Sequence, residues 1–101
     1  MSPVLKVASA SNLANTINAY DSQNDSISQL YSQAIAWQEE LTGEYHPEFG
    51  NLLNKRGFAY QSRGDFVRAE QDYRRASQIL AYTVGSAHPE YLVSLSNLGY
   101  L

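Results

Sequence analysis

The chain has 101 residues, 44% of them hydrophobic, which is enough for one small domain with a modest core. Seven basic against ten acidic side chains give a net charge of -3, which excludes the overall basic balance of a nucleic-acid binder. With no cysteine there is no disulfide framework, no thiolate nucleophile and no cysteine-based zinc site, and the expected compartment is the reducing cytoplasm.

No window alternates with the period of two that a strand requires, and apolar spacing predicts helices throughout. No stretch is apolar enough to span a bilayer, and Met1 to Ala10 lacks a signal-peptide core, so no membrane is expected as a partner. Val4, Leu5, Val7, Ala8, Leu13, Ile17 and Tyr20 give the first twenty residues a weak helical pattern. Ile27, Leu30, Tyr31, Ala34, Trp37 and Leu41 then form one stripe at three- and four-residue steps, and Trp37 reads as core. Gly43 follows the last apolar position, where a left-handed backbone caps a helix.

His46-Pro47-Glu48 starts the next helix. Proline suits a first turn whose N–H has no intrahelical partner, and the glutamate faces the positive end of the helix dipole. That helix is expected to bury Phe49, Leu52, Leu53, Gly57 and Tyr60. Ser62-Arg63-Gly64-Asp65 reads as a tight turn, with Gly64 at positive φ and Asp65 as the following N-cap. A partner helix from Phe66 carries the stripe Phe66, Ala69, Tyr73, Ala76 and Leu80, whose alanines permit close helix approach. Gly85 caps it, His88-Pro89-Glu90 opens the last helix, and Tyr91, Leu92, Leu95, Leu98 and Gly99 are its expected buried side.

These elements repeat with a period of 42 residues. Gly43, His46, Pro47, Glu48, Leu53 and Gly57 return as Gly85, His88, Pro89, Glu90, Leu95 and Gly99, while Gln29, Tyr31 and Ala34 return as Gln71, Tyr73 and Ala76. A fixed period of this length marks a unit that shelters its apolar face by stacking on copies of itself. The expected domain is a single array: a divergent first repeat over about 3–42, a second over about 46–84 and a truncated third over 88–101. Because the last apolar helix has no partner helix after it, the chain is expected to be a piece of a longer array that self-associates through this end.

Leu53-x-x-Arg56-Gly57-x-x-Tyr60, followed by Ala69-x-x-x-Tyr73 and Ala76, resembles the tetratricopeptide repeat, and Leu95-x-x-Leu98-Gly99 resembles its start. The 42-residue spacing and the Gly-x-x-His-Pro connector resemble the extended subtype found in kinesin light chains and in many bacterial and fungal multi-repeat proteins. The resemblance covers residues 27 to 101. Arg56 departs from it, standing where the pattern prefers leucine, and Asn15 or Asn18 stands where glycine, alanine or tyrosine is usual. For Arg56 the expectation is a stem packed at the helix interface and a head reaching solvent or Glu39, Glu40 or Glu70, with a ligand-facing role as the alternative.

The resemblance implies an all-α, right-handed superhelix of about five helices, in which the first helix of each pair lines a concave groove that holds a peptide or partner helix. On the matching positions this puts Asn51, Asn54, Lys55, Phe58 and Ser62 on the groove wall, joined by Ser96, Asn97 and Tyr100. Asparagine suits such a wall because its amide both donates to and accepts from an extended backbone. Lys55 would meet an acidic residue, and Phe58 and Tyr100 would offer flat apolar contact. The alternative is that all eight are ordinary solvated positions.

Other chemistry is thin. His46 and His88 recur before a proline in separate repeats with no ligand or acid–base partner at suitable spacing, so connector geometry explains them and no metal is expected. Glu39, Glu40 and Glu44 read as a solvated helix end, and Arg63, Arg68, Arg74 and Arg75 as surface or partner-contact residues. With no nucleophile constellation, acid–base pair or phosphate loop, neither catalysis nor a cofactor is expected. The expected function is a protein-interaction scaffold, with a regulatory or oligomerising arm of a larger enzyme or signalling effector as the alternative.

Overall fold

The computed structural model describes residues 26–101, and these form four α-helices with no strand among them. They are α1 (Ser26–Thr42), α2 (Pro47–Ser62), α3 (Phe66–Thr83) and α4 (Pro89–Tyr100). The helix expected over the first twenty residues lies outside the described residues. Substantial packing is confined to consecutive helices, α1 on α2, α2 on α3 and α3 on α4.

The boundaries follow local chemistry. Gly43, Gly64 and Gly85 all take positive φ, at 80°, 81° and 95°. The Gly43 N–H closes α1 by donating to the Glu39 carbonyl at 2.8 Å, and the Gly85 N–H donates to that of Leu80 at 3.0 Å. Each His-Pro-Glu step does more than supply a proline at the first turn. The His46 imidazole Nδ1 accepts the Glu48 N–H at 3.1 Å, and His88 repeats this with Glu90 at 3.2 Å. Each histidine is thus a side-chain N-cap, satisfying a donor that the helix itself leaves unpaired. Asp65 caps α3 in the same way, its Oδ1 accepting from the Arg68 N–H at 3.3 Å.

The core lies where α2 is held between α1 and α3. Ile27, Tyr31, Ala34 and Ile35 of α1 meet Phe49, Leu52, Leu53 and Ala59 of α2, with Ala76 and Ile79 of α3 in the same cluster. Two glycines set how closely α2 and α3 approach. A Cβ on Gly57 would stand 2.7 Å from Tyr73 Cε1, and one on Gly50 would stand 2.8 Å from Leu80 Cγ. The Tyr73 ring therefore occupies the space left by the absent side chain of Gly57, and its hydroxyl donates to Gln61 Oε1 at 2.7 Å. Burial pushes the Tyr73 hydroxyl up to about 12, and the nearby Asp72 charge adds to the shift.

Several expected positions differ. Leu41 is exposed because no described residue covers that side of the last turn of α1, whereas Ile35 and Gln38 on the neighbouring stripe are buried. Phe66 is exposed too, since the first turn of α3 stands beyond the side covered by α2. Tyr60 is only half-buried, with the guanidinium carbons of Arg56 and Arg68 at 5.7 and 5.8 Å from its ring centroid. In α4 the expected buried side is largely open: Leu92 and Leu95 are exposed, Gly99 is exposed, and Tyr91 and Leu98 are half-buried. Its one buried residue is Ser94. An amphipathic helix buries its stripe only as far as neighbours cover it, and α4 packs on α3 from one side.

Arg56 also differs from expectation. Its Nε and Nη2 both donate to the Asp72 carboxylate at 2.8 Å, and its Nη1 donates to Ser32 Oγ at 3.0 Å. The partner is an aspartate of α3, not Glu39, Glu40 or Glu70, and the guanidinium ties α1, α2 and α3 together. The bidentate bond to Asp72 raises the Arg56 pKa against the opposing effect of burial. Among the exposed charges, Arg74 pairs with Glu70 at 2.8 Å and Arg75 pairs with Glu44, so one glutamate of the expected acidic end is tied to α3.

Candidate functional site

The 42-residue repeat makes α2 and α4 equivalent helices, one before and one after α3 in the chain, and a cleft of about 340 Å³ lies between their N-terminal halves. Its walls are Glu48, Asn51, Asn54 and Lys55 from α2, and Glu90 and Val93 from α4. Positions 48, 51 and 55 fall at helical steps of three and four, so one face of α2 presents all three side chains. Glu90 and Val93 are the period equivalents of Glu48 and Asn51.

Asn54 is the positioned member of this wall. Ser94 Oγ lies 3.0 Å from Asn54 Oδ1, and the serine is fully buried. Because the amide oxygen accepts from Ser94, the two N–H donors of Asn54 are what remain for a ligand. Glu48, Glu90 and Lys55 are only partly buried and hold no ion pair among the described residues. The cleft therefore offers amide donors, one ammonium and two carboxylates around the apolar side chain of Val93.

Of the eight residues assigned to the groove, the structure brings Asn51, Asn54 and Lys55 together in this cleft. Phe58, Ser62, Ser96, Asn97 and Tyr100 are not among its lining and stand on the later halves of α2 and α4. Phe58 and Tyr100 are exposed, Tyr100 by 82%. Ser62 turns its hydroxyl inward to its own helix, donating to the Phe58 carbonyl at 2.9 Å. Glu48, Glu90 and Val93 were missed as wall residues, although their spacing from Asn51, Asn54 and Asn97 would have found them. In the sequence alone the two glutamates are already accounted for by the helix dipole.

Among the described residues no group of three or more His, Asp or Glu could hold a metal ion, and no helix is long and apolar enough to cross a membrane. No protein-family model matches the chain, and a search of curated proteins finds no match.

Proposed function

We propose that the chain is a tetratricopeptide-like solenoid segment that acts as a protein-interaction scaffold, taking an extended peptide or partner helix in the cleft between α2 and α4. The observation that carries this reading is the Ser94-anchored Asn54, which aims amide donors into a cleft flanked by Asn51 and Lys55. Fixed donors of this kind suit backbone carbonyls, and backbone recognition tolerates varied side chains. The free carboxylates of Glu48 and Glu90 add a preference for a basic residue near the helix N-termini, while Lys55 favours an acidic one towards the other end. Consecutive helix packing supports an open stack over a closed bundle, in which the first and last helices would also meet. The chain is further proposed to work in the cytoplasm, without catalysis or a cofactor.

The test is a peptide array probed with the 101-residue chain, followed by anisotropy titration of the selected peptides. Asn54→Ala and Lys55→Glu should each weaken binding by about tenfold, the equivalent of about 1.4 kcal/mol. Phe58→Ala, outside the cleft, should have a smaller effect. Selected peptides that bind all three variants as tightly as the parent would show that the site lies elsewhere.

A further inference from the structure

The cleft between α2 and α4 constrains the shape of its occupant as well as its chemistry. Glu48 and Lys55 stand seven residues apart on α2, which separates them by about 10.5 Å along the helix axis. Asn51 and Asn54 lie between them. On the facing wall, Glu90 and Val93 are the period equivalents of Glu48 and Asn51, and the Ser94 to Asn54 hydrogen bond holds the two helices in nearly that register. The two carboxylates therefore share one end of the cleft, Lys55 marks the other, and Val93 stands between.

That spacing separates three kinds of occupant. An α-helix matches it with charges seven residues apart, but the carbonyls of a helix are already bonded within it. It would cover the Asn54 N–H donors, which have no partner among the described residues, without offering them an acceptor. A β-strand has free carbonyls, but its same-face residues fall about 6.6 Å or about 13 Å apart, short or long by about 3–4 Å. A polyproline II helix turns every three residues and rises about 3.1 Å per residue, so residues three apart share a face at about 9.3 Å. It misses the Glu48 to Lys55 spacing by only about 1 Å, the smallest mismatch among the extended forms. Its backbone has no internal hydrogen bonds, so its carbonyls are open to the asparagine amides.

Given the peptide site proposed above, on which this inference rests, we infer that its ligand is a polyproline II segment with one basic and one acidic residue three positions apart. The basic residue lies at the Glu48 and Glu90 end and the acidic residue meets Lys55. The residues between them present carbonyls to Asn51 and Asn54, and one of them packs on Val93, which is 50% exposed. Residues 1–25 of this chain do not supply the pattern, since Lys6 is their only basic residue and Pro3 and Ser9 stand three positions to either side of it.

The probes are labelled proline-rich peptides with Arg and Glu separated by two, three or four positions, in both orders, and an alanine-based helical peptide with the same charges seven positions apart. Titrated by anisotropy against the 101-residue chain, the better order at a separation of three should bind at least about tenfold more tightly than every peptide at two or four and than the helical peptide. In the chain, Lys55→Gln should erase the advantage of Glu over Gln in the peptide. Glu48→Gln combined with Glu90→Gln should erase that of Arg over Gln, with circular dichroism unchanged in both variants. Equal binding at all separations, an optimum at two or four, tighter binding of the helical peptide, or no binding of any proline-rich peptide overturns the inference. So does an advantage of either charge that survives the matching substitution in the chain. In each case the peptide site itself stands if array-selected peptides still lose affinity with Asn54→Ala. If no peptide of any kind binds, the site and its ligand fall together.

Discussion

The helices α2 and α4 are written with nearly the same pattern and meet different fates. Leu53 is 2% exposed and its period equivalent Leu95 is 42% exposed. Gly57 holds an aromatic ring against its backbone, and Gly99 faces open space. Leu52, at the centre of the core, is replaced by Ser94, which reaches Asn54 through a hydrogen bond instead. The contrast teaches that burial is a property of the neighbours: among the described residues α2 is packed by both α1 and α3, while the substantial packing of α4 is on α3.

The largest effect that would break this contrast is a truncation at equivalent positions. Leu53→Ala should cost about 2–5 kcal/mol in urea unfolding, as expected for a leucine lost from a packed core. Leu95→Ala should cost under about 1 kcal/mol, because much of its side chain is already in water. Equal losses would mean that α4 is covered in solution.

Next in size is an alkaline transition set mainly by Tyr73. Tyr73 is raised from the ordinary value of 10.0 to about 12, so its stabilising contribution is complete below about pH 10 and is lost as pH rises through about 12. The shift corresponds to roughly 2–3 kcal/mol. Tyr31, also raised by burial, acts in the same direction. Tyr73→Phe should remove most of the dependence, and a parent chain whose urea midpoint is flat from pH 9 to about 12 would contradict the buried hydroxyl.

The smallest effect is the sharpest in sign. Gly57→Ala gains roughly 1 kcal/mol of helix propensity but drives a methyl into the Tyr73 ring, a strain costing about 1–3 kcal/mol. It should destabilise by up to about 2 kcal/mol. Gly99→Ala meets no obstacle and should stabilise by about 0.5–1 kcal/mol, less near the frayed end of a helix. Melting curves that shift in the same direction for both would remove the packing distinction between the two glycines.

Much of the local architecture could be read from residues alone. The capping glycines Gly43 and Gly85, the turn glycine Gly64, the prolines that open α2 and α4 and Asp65 as an N-cap depend on backbone geometry within a few residues, and these all stand where expected. The histidine caps were half-legible: the repeat marked their place, but only the folded structure shows Nδ1 accepting an N–H two residues on. Arg56 was legible as an exception to its pattern, whereas its bond to Asp72 was not, since the partners are sixteen residues apart on different helices. For the cleft, the spacing identified one wall and not the glutamates that complete it, because a charge at a helix start already has a local explanation.

The amino-acid order by itself determined the helices, their ends and the 42-residue period, because hydrogen bonding, φ preference and apolar spacing act over a few residues at a time. Only the tertiary structure decided which face of each helix meets another, that Asp72 neutralises Arg56, and that Asn54 is turned by Ser94. Those outcomes require surfaces distant in the chain to meet, and contact at van der Waals range depends on the shapes of both partners together.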